Sequence, residues 1–255
     1  MGDGAAVEVK SYIAELHAHT VLSPCAEVEM IPPLIVPAAL AKGINLLAIT
    51  DHNASANVIA VQHAAQGTGL TVVPGMEFQT REDVHVLCLF DTLAQLAAWQ
   101  DVVNEHLPPL ENNIEYFGEQ FVVDATGGFI GRETRLLLTS ADLSIEQTIR
   151  AVSALGGWVI PAHVDRKANG LIAHLGFVPP DAAIDTLEIS RNISFEKAPE
   201  KYPQIRGYPL VQDGDAHRLN EFLGVNEFTV ENPTIAELRM AVQGEEGRSL
   251  NVRAV

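Results

Sequence analysis

An α/β fold of barrel type is what the sequence predicts, and three observations predict it. Short apolar runs rich in β-branched residues alternate with amphipathic stretches, the pattern of strand–helix units around a buried sheet. The 255 residues, 47% hydrophobic and 19% charged, can bury one large core and reach the size at which a single (β/α) barrel becomes possible. Polar residues able to do chemistry fall at the ends of the expected strands, and the rim at the carboxyl ends of barrel strands is where loops converge over a rigid core.

Taken in order, the first strand is expected over Ser11–Leu16 and runs into His17-Ala18-His19. A helix over Pro33–Lys42 follows, stopped by Gly43. Asn45–Thr50 is the second strand, ending in Asp51-His52-Asn53, and Ala56–Ala65 the second helix, ending near Gly67. Leu70–Met76 is the third strand and leads to Glu77; Val84–Phe90 is the fourth, and His85 opens it instead of closing it. The polar stretch Phe78–Asp83 reads as a turn, so these two strands are expected to form a hairpin that returns His85 to Glu77 and gives the barrel one antiparallel member. From about 107 to 139 the pattern becomes helix remnant, strand, Gly-rich turn and strand, an insertion or small subdomain within a single domain over 1–255. Ser144–Leu155 is a helix with Ser144 as N-cap and Gln147 three residues on. Gly157–Ala162, Asp185–Ile189 and Tyr208–Gln212 complete the strands; the first leads to His163 and the last to Asp213-Gly214-Asp215-Ala216-His217. The polar tail after Gly244 is expected to be loosely held.

A formal charge of −17 denies the chain a sequence-independent grip on a phosphate backbone and argues against long nucleic acid as a partner. Two cysteines, Cys25 and Cys88, exclude a disulfide framework and suit a reducing compartment. The opening MGDGAAVEVK lacks the basic and apolar regions of a signal peptide, and the best apolar run, IPPLIVPAALAKG, is broken by prolines, so a cytoplasmic protein without membrane contact is expected. The oligomeric state is not set by the sequence.

Histidine nitrogens and carboxylate oxygens are ligands for zinc, manganese and iron, and His-x-His on a strand puts both imidazoles on one face. That motif alone is weak. Together with Asp51-His52, Glu77, His85, His163 and Asp215-x-His217, however, it places six of the nine histidines at strand ends, which a multinuclear metal site explains better than satisfied core histidines. His63, His106 and His174 fall in helices or loops without such partners. Asp51 has two readings, an acceptor for an imidazole N–H or a helix N-cap over Ala54 and Ser55. Glu188 likewise reads as such an acceptor or as an ordinary rim carboxylate. Arg166 and Arg191 lie near the rim, where an Arg fork matches phosphate oxygens, and Arg81 is a weaker third.

In order and spacing, His17-x-His19, Thr50-Asp51-His52, Gly75-x-Glu77, His85, Pro161-x-His163 and Asp215-x-His217 resemble the motifs of the polymerase and histidinol phosphatase (PHP) superfamily over about residues 12–217. The resemblance implies a distorted (β/α)7 barrel, two to three divalent metal ions (zinc, manganese or iron) and phosphoester hydrolysis. It makes His17, His19, Glu77 and Asp215 ligands of one metal, and Glu77, His85 and His163 ligands of a second bridged by Glu77. His52 and His217 would bind a third with a ligand from the loop after the first strand, where many relatives carry Asp or His and this chain offers Cys25. Glu77 and Asp51 are the candidate catalytic carboxylates. A metal pair supplies hydroxide near neutral pH and offsets charge on the phosphoryl oxygens. Expected, then, is hydrolysis of a small phosphorylated molecule to inorganic phosphate. The alternatives are a nucleotide phosphatase or 3′–5′ exonuclease, and a non-catalytic metal-binding module.

Overall fold

The computed structural model describes residues 8–253; most of the N-terminal stretch read for a leader lies outside them. Strand β1 (Lys10–Glu15) is followed by α1 (Pro32–Ala41), β2 (Leu46–Ile49), α2 (Val58–Ala65), β3 (Thr71–Gln79) and β4 (His85–Leu89). Next come α3 (Leu93–His106), α4 (Ile114–Phe117), β5 (Phe121–Val123), β6 (Phe129–Arg132), α5 (Ile145–Ala154) and β7 (Trp158–Pro161). The remainder comprises α6 (Leu171–Leu175), β8 (Leu187–Ser190), α7 (Ala198–Lys201), β9 (Leu210–Asp213), β10 (Asn226–Val230), α8 (Ile235–Gln243) and β11 (Ser249–Val252).

The architecture is mixed α/β around a curled seven-stranded sheet of order β11-β10-β1-β2-β3-β4-β7. Strands β1, β2 and β3 run parallel, while β4 is antiparallel to both β3 and β7. Gln79 pairs with His85 in that hairpin, which seats His85 near Glu77 as the sequence predicts. Two features differ from expectation. A second antiparallel strand, β10, lies between β1 and β11, and pairing with β11 ties down the tail expected to be loose. Strands β8 and β9 form their own parallel pair instead of joining one continuous ring. Backbone bonds from Val164 N to Glu188 O and from Ala216 N to His17 O link that pair to the ends of β7 and β1.

Successive residues of the central strands feed two cores. In β2, Leu47 and Ile49 join the larger cluster with α1, α2, α3 and α5, whereas Leu46 and Ala48 join the one closed by Ile235, Leu238 and Ala241 of α8. A strand buried on both faces must be apolar throughout, which is why these segments read as unbroken apolar runs. Hairpin β5–β6 stands as a separate two-stranded sheet within 107–139. Among the described residues no helix is long and apolar enough to cross a membrane.

Candidate metal centre

Glu77 sits at the centre of the site because β3 carries it past the end of β2, in a parallel bridge with His52. The approach is close: a Cβ on Gly75 would lie 2.9 Å from Leu89 Cδ2 and Thr50 Cγ2, so only glycine fits two residues before it. Five imidazoles face the Glu77 carboxylate. Oε1 lies 2.7 Å from His85 Nδ1, 3.1 Å from His163 Nε2 and 3.3 Å from His17 Nε2. Oε2 lies 2.8 Å from His52 Nδ1 and 3.4 Å from His19 Nε2. Asp215 Oδ1 adds a second carboxylate 3.2 Å from His17 Nε2 and 3.1 Å from His19 Nε2. His163 and Asp215 hold positive φ, 29° and 47°, a strained backbone that recurs where side chains are aimed for function.

Three outer partners fix which ring nitrogen is free. His17 Nδ1 donates to Glu188 Oε2 at 2.9 Å, and Glu188 Oε1 accepts from His163 N at 3.1 Å. His19 Nδ1 donates to Ser23 Oγ at 2.9 Å, since that hydroxyl spends its own proton on Asp51 Oδ1 at 2.7 Å. His217 Nδ1 donates to the Asp215 carbonyl at 2.9 Å. Each Nε2 is thereby left with a lone pair turned toward the cluster, the tautomer a metal requires.

The electrostatics follow from burial and crowding. Burial would push the Glu77 carboxyl up, but His85, His52 and His17 outweigh it and hold it well below the carboxylate range. Burial and the neighbouring His217 push His19 well below its ordinary value, and burial lowers His85 to about 4, so both are neutral imidazoles. The Cys25 thiol falls to about 6: burial opposes this, and His52 and then His217, 3.1 Å from Sγ, overcome it.

Divalent metals fit this arrangement. His17 Nε2 is buried without a hydrogen-bond partner, an expensive condition for a polar atom that metal ligation relieves. Possible ligand atoms within 4.8 Å of one another group as His17, His19, Glu77 and Asp215; as His52, Glu77 and His85; and as His19, His52 and His217. The first group is the set the resemblance implies for one metal. The second places His52 where His163 stands in the implied second set, with His163 on the other side of Oε1. The third adds His19 to His52 and His217, with Cys25 beside His217.

Asp51 requires correction. It caps no helix, because α2 begins at Val58 after Asn57, and it receives no imidazole proton. Its oxygens instead accept from Thr20 N, Thr20 Oγ1 and Ser23 Oγ, each at 2.7 Å, so it reaches the histidines only through Ser23. Arg166 pairs through Nη1 with Asp215 Oδ2, and Arg191 Nη2 with Glu221 Oε1 at 2.7 Å; both line the cleft beside the cluster. Arg81 is turned away onto Asp142. His63, His106 and His174 lie outside the cluster, as expected. Sequence reasoning missed Ser23 and the buried Glu15, which takes backbone N–H bonds from Leu223 at 2.7 Å and Gly224 at 3.0 Å. The one signal for Glu15 was a carboxylate inside an apolar run.

With this geometry in place, comparison with known proteins gives the class. The PHP domain family model matches residues 15–165, and the chain belongs to that family. Among solved structures, the lesion-specific endonuclease PfuEndoQ from Pyrococcus furiosus is similar at a TM-score of 0.70 and 21% identity; the match covers 94% of this chain and 58% of that one. The chain thus spans little more than half of that endonuclease. A Bifidobacterium adolescentis protein assigned as a metal-dependent phosphoesterase is similar at a TM-score of 0.53 and 18% identity, covering 89% of this chain and 91% of that one. An amidohydrolase from Chromobacterium violaceum with bound sulfate is similar at 0.56 and 19%, covering 83% and 89%. At these identities the likeness shows the fold. No curated protein matches the sequence.

Proposed function

We propose that this chain is a metal-dependent hydrolase of phosphoesters, holding two to three divalent ions of zinc, manganese or iron. The observation that carries the reading is Glu77, one buried carboxylate facing five imidazoles. His17, His19, Glu77 and Asp215 would hold one ion, Glu77, His85 and His163 with His52 a second, and His52, His217 and Cys25 a third. Ions so held supply a hydroxide nucleophile near neutral pH and charge to match the phosphoryl oxygens. The chain's own residues do the rest. Glu188 and Ser23 orient His17 and His19, Asp51 orients Ser23, and Arg166 offers a guanidinium to a phosphoryl oxygen while bracing Asp215. A small phosphorylated molecule, with inorganic phosphate as product, and a phosphodiester strand both meet the chemistry; the surface beyond the cluster distinguishes them.

The test is reconstitution with manganese, zinc or iron and assay on 4-nitrophenyl phosphate and bis(4-nitrophenyl) phosphate. Metal uptake with turnover of either supports the reading. Absence of uptake under all three metals would refute it.

A further inference from the structure

The cleft beside the cluster does not end there. It is lined by Arg166, Arg191 and Arg218 with Asp215 and Glu221, and shares Arg191 and Asn192 with a second cleft lined by Ser194, Phe195 and Glu196. That cleft shares Asn192, Ile193 and Ser194 with a third, lined by Lys197, Glu200 and Lys201. Cations therefore flank a polar and aromatic middle section, beginning at the metal ligands.

Charge singles out the same surface. Residues 166–218 hold seven of the sixteen Lys and Arg and seven of the thirty-three Asp and Glu, a neutral segment in a chain of −17. Of those acids, Glu188 and Asp213 are fully buried, so outside the core seven cations stand against five acids. The excess of acids that would repel a polyanion elsewhere on the chain is therefore absent from this segment. The segment is also held in shape. Gln212 Nε2 donates to the carbonyls of Ser190 at 3.0 Å and Ile193 at 2.7 Å, while Asp165 accepts from Ser190 N and Oγ at 2.7 Å each.

We propose that residues 190–218 form a track for a single nucleic-acid strand, so that the scissile bond is a phosphodiester and the next base and phosphate bind beside the metal cluster. The inference rests on the phosphoester hydrolase reading. Half-buried Phe195 offers a π-face to a base, with Asn192 and Ser194 as polar partners on either side. Arg191 and Arg218 take the nearer phosphate, displacing the exposed ion pairs they now make with Glu221 and Glu27. Lys197 and Lys201 take the farther one. A small phosphorylated molecule would use only the first cleft.

The experiment measures binding of a fluorescein-labelled dT12 to intact protein by anisotropy between 50 and 300 mM salt, with the dT12·dA12 duplex and inorganic phosphate as competitors. Expected is a log–log salt slope of about −2, from roughly three phosphates at about −0.7 each, with the duplex and phosphate competing far less well than unlabelled dT12. Lys197→Ala/Lys201→Ala should reduce the slope by about 0.7, and Phe195→Leu, which keeps the apolar packing, should weaken binding at least about fivefold. The charge-matched control Lys42→Ala/Arg150→Ala should bind as the parent does. Equal competition by the duplex, or a lysine pair no different from the control, would overturn the track. Turnover of bis(4-nitrophenyl) phosphate without dT12 binding would overturn this inference and leave the hydrolase reading standing; failure to take up metal would remove both.

Discussion

Glu77 is fully buried and ionised, and what makes that tolerable is the ring of imidazoles around it. Glu77→Gln keeps the volume and removes the charge, so it should abolish turnover, by at least about a thousandfold on the scale of losing a shared metal ligand, while circular dichroism stays that of the parent. Near-parental hydrolysis by that variant would break the shared-carboxylate argument. Glu188 touches no reacting atom and acts through His17 and the strained backbone of His163. Glu188→Ala should lower metal affinity about 10- to 100-fold, the usual effect of losing an outer partner of a ligating histidine, read by competition with a chromophoric chelator. Cys25 is exposed at the mouth of the cluster. A thiolate prefers zinc to manganese, so Cys25→Asp should shift the third ion's preference toward manganese in elemental analysis after mixed-metal loading. The histidines and carboxylates of the cluster were legible because each lies in or within a few residues of a strand. Ser23 was not, since one serine in a loop has no spacing to mark it.

At the scale of elements, local signals located most of the frame. The Ser144–Gln147 capping box and the β3–β4 hairpin stand where the sequence puts them. Helix α3 carried the same signal in Thr92 and Gln95, whose side chains cap one another's backbone N–H groups at 3.2 and 2.9 Å. Thr92→Ala should therefore cost about 1 kcal/mol of unfolding free energy in urea without changing metal content. Strand β10 was not legible. Its alternation covers only Asn226–Val230, and Asn226 and Glu227 read as loop residues until β1 and β11 pair with them. The separation of the β8–β9 pair from the main sheet was not legible either, since each strand alone reads as an ordinary apolar run. Just past β9 and next to Asp215, Gly214 packs so tightly that a Cβ there would lie 2.1 Å from Glu221 O. Gly214→Ala should disturb stability and metal affinity together, whereas Thr92→Ala touches stability alone.

Across the whole molecule, the fold gathers acids and histidines that repel or go unpartnered until cations join them. Glu15 shows the sign. Burial, against the pull of its Gly214, Gly224 and Leu223 N–H partners, raises its carboxyl from 4.5 to about 7, so between those values the folded chain binds more protons than the unfolded one. Its contribution to stability is thus present below pH 4.5 and lost as pH rises through 7. In metal-free protein, Glu15→Gln should lack that slope, and urea titrations at pH 5 and pH 8 should show the parent losing ground to the variant at the higher pH. Metal ions act in the opposite direction at neutral pH, because they bind the assembled cluster and not the dispersed ligands of the unfolded chain. Two ions, each at about 100 times its Kd, add about 2.7 kcal/mol apiece, and in a chain of this size each kcal/mol moves Tm by about 2–4 °C. Chelation should accordingly lower Tm by on the order of 10–20 °C, and readdition of metal should restore it. Glu77→Gln should show a much smaller difference between the two conditions. An unchanged Tm on chelation, in protein shown by elemental analysis to have lost its metal, would mean that the cluster is satisfied by its own hydrogen bonds, contrary to the unpartnered His17 Nε2.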